Sequence, residues 1–288
     1  MNRNLSEQIE FVFQELQRLE IEMKAGSRLD QLARVFRAPD GTWTRNVLYS
    51  DDSEFEFALE ARREFQLFEF ILAPWEFGGA KLGREKLRTA VLKDAPLQYD
   101  GAKAVTRGRD TQLELYVATA FQRSGAGGQL LANVSGKKSP DVRTRACGRY
   151  FFVEAKRVKA RSRFVDAVAD AVEQVDATGC PGAAFIDVTM AFNEDNRRAN
   201  ENLRRESVHD VIRKWLQGEF EQHRAEVDDV MRGSRLTSLF LQHHALIPLE
   251  GEIELRSTIL TYPERVTGRY AKADAEIRQS LDCGWTWS

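Results

Sequence analysis

The sequence predicts an α/β protein, a mixed sheet flanked by helices with a helical region at its N-terminal end. Three observations predict it. A clean amphipathic helix pattern over residues 110–123 is followed by three short strand-like segments. A second helix pattern then leads into an apolar strand, so helix and strand alternate as they do around a central sheet. Ahead of these, the first hundred residues carry mostly helical periodicity.

The elements follow in chain order. Leu5, Ile9, Val12, Leu16, Leu19 and Met23 recur at steps of four and three, the seam of a helix over residues 5–24 that stops near Gly26. Fewer than three heptads fit, so the seam could pair two copies of the chain or pack within one; packing within the protomer is favoured. Residues 38–41 form a turn, and 43–49 a short strand. Residues 53–72 read as a helix with an aromatic stripe of Phe55, Phe57, Phe65, Phe68 and Phe70, a buried face rather than a base-stacking one. Residues 77–83 are loop-like, and 86–93 helical. The Pro-, Gly- and polar-rich stretch 94–108 is the best domain boundary. It separates a helical region, residues 1–100, from an α/β domain, residues 101–288.

In that domain the helix over 110–123 buries Leu113, Val117, Ala120 and Phe121, and residues 125–128 end it. Strands are expected at 129–134, 141–144 and 149–156, the last two joined by a turn at 146–148. A helix over 163–178 turns Phe164, Val168, Ala171, Val172 and Val175 inward. An apolar strand covers 183–192. The rest reads as helix to about residue 233, strands at 234–247 and 252–262, and a last helix over 272–281.

The composition narrows the function classes. The chain has 288 residues, 42% hydrophobic, and no apolar run long enough to span a membrane. Its start lacks the basic-then-apolar pattern of a secretory signal. Cys147, Cys180 and Cys283 are few and show no zinc-binding spacing, so a reducing cytoplasm is expected. The net charge is −2, yet ten basic and two acidic residues fall between Val134 and Arg163. The basic ones include Lys137, Lys138, Arg143, Arg157, Lys159 and Arg161, expected to hold a nucleic-acid backbone without reading its sequence.

The two acids are what give this patch its chemistry. Pro140-Asp141 precedes one strand, and Glu154-Ala155-Lys156 lies on the next, with Glu154 thirteen residues after Asp141. Strand side chains alternate between faces, so Glu154 and Lys156 point the same way. If the strands pair across the turn, Asp141 reaches that face too. Two adjacent carboxylates repel unless a cation lies between them, and oxygen donors of this type suit Mg²⁺ or Mn²⁺. A lysine beside them can position a water or stabilise charge on phosphorus. The competing reading is an ordinary Glu–Lys pair following a Pro-Asp turn; the order of the surrounding elements favours the active site. Two further matches to the same pattern, Pro39-Asp40 and Glu22-Met23-Lys24, lie on a turn and a helix and lack that order.

These residues resemble the motif of the PD-(D/E)xK nuclease superfamily, over roughly residues 108–192. The resemblance implies a restriction-endonuclease-like fold and a metal-dependent hydrolysis of phosphodiester bonds, with DNA the expected substrate, leaving 5′-phosphate and 3′-hydroxyl ends. It implies that Asp141, Glu154 and the carbonyl of Ala155 bind Mg²⁺ or Mn²⁺, and that Lys156 assists the nucleophile. It adds Glu114, on the preceding helix, to orient water or complete the metal shell, and Gln174, on the following helix, as a further site residue. By analogy it suggests a bacterial restriction or phage-defence system, with a homodimer or a partner protein such as a helicase. A non-cutting nucleic-acid-binding protein of the same fold is the alternative. His243 and His244 fall on opposite faces of a strand and cannot chelate together, while His209, His223, Trp285 and Trp287 read as surface or anchoring residues.

Overall fold

The computed structural model describes residues 4–37, 52–73, 81–93, 107–132, 139–192, 208–249, 252–264 and 266–284. The expected turn at 38–41, the strand at 43–49, most of the 94–108 boundary, Lys137, Lys138, Trp285 and Trp287 lie outside these residues. The chain divides into two compact units, Met1–Thr119 with Thr286–Ser288, and Ala120–Trp285.

The first unit is helical: α1 (Leu5–Arg18), α2 (Arg28–Arg34), α3 (Asp52–Leu72), α4 (Lys81–Leu92) and most of α5 (Arg107–Arg123). Asn4 starts α1 with a capping box, its side chain accepting from the Glu7 N–H while the Glu7 carboxylate takes the Asn4 N–H. The helix ends at Arg18, six residues before the expected residue 24, with Leu19 as its C-cap, and Glu20 adopts a positive φ of 59°. The heptad spacing runs on to Met23, half-buried beyond the helix end, while Ile21 packs inward there outside the helix. Leu5, Ile9, Val12, Leu16 and Leu19 are buried by the chain itself, as the packing reading requires. Phe65, Phe68 and Phe70 of α3 are buried likewise.

A buried charge network runs through this core. The Arg28 guanidinium meets the Glu64 carboxylate and donates to the Ala90 carbonyl at 2.9 Å and to Gln112 Oε1 at 3.1 Å. Each buried charge here has a partner, which is the condition under which burial is tolerated.

The second unit is α/β. Its six-stranded sheet has the order β1 (Gln129–Leu130), β2 (Val142–Ala146), β3 (Arg149–Arg157), β4 (Gly182–Asp187), β5 (Leu236–Leu249) and β6 (Glu252–Tyr262). It is mixed: β3, β4 and β5 are parallel, and the other neighbours antiparallel. The crossovers carry α6 (Phe164–Asp176) between β3 and β4, and α7 (Val208–Glu221) and α8 (Arg224–Met231) between β4 and β5; α9 (Ala271–Gly284) closes the chain. β4 ends five residues before the expected residue 192, and β1 keeps two residues of the strand expected at 129–134. Val188 to Phe192 are as apolar as a strand, but they turn back and bury in the core instead.

The β2–β3 turn is built by Cys147 and Gly148, both with positive φ (49° and 73°). That pair of left-handed residues suits a two-residue hairpin connection, whose twist matches the strands. Antiparallel register then sets Val142 against Val153, Arg143 against Phe152 and Arg145 against Tyr150.

α6 lies on the sheet face formed by Ala184 and Ile186, burying Phe164, Val168, Ala171 and Val175 there. Gly182 makes this packing possible. A Cβ at that position would lie 2.4 Å from the Phe152 carbonyl oxygen and 2.7 Å from Val175 Cγ1. Gly182→Ala should therefore destabilise the unit by about 1–3 kcal/mol through overpacking, read as a lowered denaturation midpoint. An unchanged midpoint would show that α6 can lift without cost.

On the opposite face α9 is pinned by a buried polar cluster. Asp274 accepts from Ser238 Oγ at 2.5 Å, Thr237 Oγ1 at 3.0 Å and Arg278 Nε at 2.5 Å.

Candidate active site

The register of the hairpin assembles the site. Val142 opposes Val153, so Asp141, one residue before β2, comes level with Glu154 on β3. Its carboxylate is fixed by the backbone, Asp141 Oδ2 accepting the Ala155 N–H at 3.1 Å. Its own carbonyl accepts the Leu131 N–H at 2.8 Å. On a strand the N–H and C=O of one residue project to the same side. The Ala155 carbonyl therefore faces the side that Asp141 occupies, beyond the start of β2.

Glu154 and Lys156 share the face that carries Ala184 and Ile186, their partners on β4. Glu154 is 2% exposed, and its Oε1 takes the Lys156 ammonium at 2.7 Å. Burial pushes the Glu154 carboxyl above its ordinary range, against the opposing pull of Lys156, Asp141 and Gln174. Burial also works against the Lys156 ammonium, but Glu154, Asp141 and Asp170 outweigh it and hold its pKa above the usual value. These carboxylates hold the Lys156 ammonium in its charged form.

α6 supplies the remaining side chains. Gln174 lies close enough to Glu154 to favour its ionised form, so the structure brings this sequence-predicted residue to the site. Asp170, one helical turn earlier, acts on Lys156 and was missed by the sequence reading. The signal was available: Asp170 and Gln174 are spaced i, i+4 beside the apolar stripe of α6.

The donor set fits a small divalent cation. Two carboxylates stand together, and Glu154 Oε2 is buried with no hydrogen-bond partner. A buried, unsatisfied carboxylate oxygen is costly unless something binds it. Among the described residues no group of three or more His, Cys, Asp or Glu is arranged to hold a metal. A cation here would rest on Asp141, Glu154 and the Ala155 carbonyl, with water filling its shell, as suits Mg²⁺, which commonly keeps several waters.

The other predicted residues fall differently. Glu114 is in the first unit, where its buried carboxylate takes the Lys86 ammonium as partner. Arg157, expected to contact phosphate, is corrected: its side chain is 2% exposed and pairs with Asp187 at 2.9 Å. Strand alternation explains this, because Arg157 points to the opposite face from Lys156. Asp187 in turn accepts the Thr189 N–H at 3.0 Å, which fixes the end of β4. Asp187→Ala should strand a buried guanidinium and cost about 3–5 kcal/mol in an unfolding titration; a loss under about 1 kcal/mol would mean that water reaches Arg157. Arg161 is half-exposed and bridges to Glu219 at 2.7 Å, Lys159 is half-buried, and Arg143 donates to Gln129 Oε1 at 2.5 Å. His223 is partly buried, its ring stacked on Phe192 and packed against Phe164, so it is no surface residue. No helix among the described residues is long and apolar enough to cross a membrane.

No protein-family profile and no curated protein sequence matches the chain.

Proposed function

We propose that this protein is a Mg²⁺- or Mn²⁺-dependent nuclease with a restriction-endonuclease-like core, acting in the cytoplasm on nucleic acid, with DNA as the first candidate. The observation that carries this reading is the buried Asp141–Glu154 pair with its unpartnered oxygen, set beside a charged lysine. A divalent cation bound there supplies Lewis-acid polarisation of a phosphate oxygen and an acidified water.

The residues of the chain do the rest. Asp141, locked by the Ala155 N–H, and Glu154, locked by Lys156, present preset carboxylates that need no reorganisation. Lys156 is placed to neutralise charge growing on the phosphoryl oxygens and to hold the attacking water in line. Gln174 and Asp170 orient Glu154 and Lys156 from α6. Glu114, which the resemblance added, lies in the first unit as the partner of Lys86, and the proposed chemistry assigns it no step. The exposed arginines of the hairpin attract the phosphate backbone. A role in bacterial defence, alone or with a second protein, is the biological setting we infer from the superfamily resemblance.

The test is incubation of the purified protein with plasmid, single-stranded DNA and RNA, in Mg²⁺, Mn²⁺ or EDTA. Cleavage in either metal that stops in EDTA, leaving 5′-phosphate ends, is expected. Metal-independent cleavage would contradict the metal-dependent reading, and no cleavage on any substrate would argue for the non-cutting binding protein instead.

A further inference from the structure

Tyr150 has no part in the chemistry just described, yet it lies on the same strand. At 44% exposure it is the most exposed large hydrophobic side chain among the described residues. Two guanidiniums flank its ring, Arg143 at 4.6 Å and Arg145 at 5.4 Å from the centroid. Arg145 is its register partner and Arg143 that of Phe152, so all three share the face of Glu154 and Lys156. Tyr150 precedes Glu154 by four residues, roughly 13 Å at ~3.3 Å per residue.

The ring also borders a cavity of about 470 Å³, whose wall includes Arg145, Arg149, Pro181 and Tyr270. That volume is of ligand size, within the usual range of roughly 300–1,000 Å³. The guanidinium of Arg269 lies 4.4 Å from the Tyr270 ring. Among the described residues no carboxylate lines the cavity. At the β2–β3 turn the Cys147 N–H donates to the Glu276 carboxylate at 2.7 Å, and the Cys147 thiol does so at 3.1 Å.

We propose that Tyr150, its flanking arginines and the cavity beside them form a stacking platform for an unpaired nucleotide of a single-stranded nucleic acid. Exposed aromatic faces with interleaved arginines are what a single strand requires: a surface for the base and cations for the phosphates on either side. A duplex keeps its base faces covered and gains only the phosphate contacts. At ~3.4 Å per stacked nucleotide, about four nucleotides span the distance from the platform to Glu154. The inference rests on the nucleic-acid reading above and narrows it to strands with unpaired bases.

The test is fluorescence anisotropy with labelled (dT)12, (rU)12 and a 12-base-pair duplex, in EDTA so that metal-dependent cutting is suspended. The wild type is expected to bind one or both single strands more tightly than the duplex. Tyr150→Ala should weaken single-strand binding about tenfold and leave duplex binding unchanged, while Tyr150→Trp retains it. Equal melting temperatures of these surface variants would confirm that folding is not the cause. The proposal is overturned if no single strand binds, if Tyr150→Ala binds as wild type does, or if it loses single strand and duplex alike. Tyr150-dependent binding without cleavage in Mg²⁺ would remove the nuclease reading and leave the platform standing. Cleavage with Tyr150-independent binding would do the reverse.

Discussion

Lys156→Ala and Asp141→Ala should each lower metal-dependent cleavage by about 10²–10³-fold while leaving the protein folded. The magnitude is that of losing one preorganised charge at a site where charge develops in the transition state. The two losses should differ in kind. Lys156→Ala removes a cation that neutralises phosphate, so raising the metal concentration should not restore the rate. Asp141→Ala removes a metal donor, so part of its loss should be recovered at high Mn²⁺. The two variants together should be little worse than either alone, because residues acting as a unit are not additive. Rates measured on a labelled strand across a metal titration decide this. Activity equal to wild type in Lys156→Ala would remove the lysine from the mechanism.

The second large effect is on stability and has a defined pH dependence. In EDTA, Glu154→Gln should melt higher than the wild type at neutral and alkaline pH. The Glu154 carboxyl has its folded pKa raised above the ordinary glutamate range, chiefly by burial. A raised folded pKa means that the group's contribution is fully present below the unfolded value and is lost as pH rises through the folded value. The amide, of the same shape and uncharged, escapes that loss. The advantage of Glu154→Gln should thus be smallest below about pH 4.5, grow with pH, and level off above the folded pKa. Each kcal/mol recovered raises the melting temperature by roughly 2–4 °C for a unit of this size. Lys156 is raised above 10.5 and remains charged throughout this window, so its own contribution is lost only at more alkaline pH. A pH-independent difference between the two proteins would contradict the assignment of burial as the cause.

The site was legible in the sequence because strand alternation is strict. Once 149–156 was read as a strand paired with the segment before it, Glu154, Lys156 and Asp141 had to converge, and the register confirms it. The same rule misplaced Arg157 only because its charge was counted and its parity was not. Element ends were less legible. Ile21 and the 188–192 segment keep an apolar pattern beyond the end of their helix or strand, since a turn can bury side chains as well as either does. Gln174 and Asp170 could not be ranked from sequence, because their value depends on which face α6 lays on the sheet. The apolar stripe of α6 gives that face, but not which strand residues stand opposite it, and that depends on how closely α6 sits over Gly182, a three-dimensional constraint with no local signature. The parallel pairing of β4 with β5, across two intervening helices, was likewise beyond local pattern.

The measurement that tests the central claim most directly is a Mn²⁺ titration followed by electron paramagnetic resonance, on the wild type and on Glu154→Gln. One bound Mn²⁺ per wild-type chain, lost or much weakened in Glu154→Gln, is the result expected if the carboxylate pair on the hairpin is a cation site. Mn²⁺ bound equally by both proteins, or by neither, would contradict it.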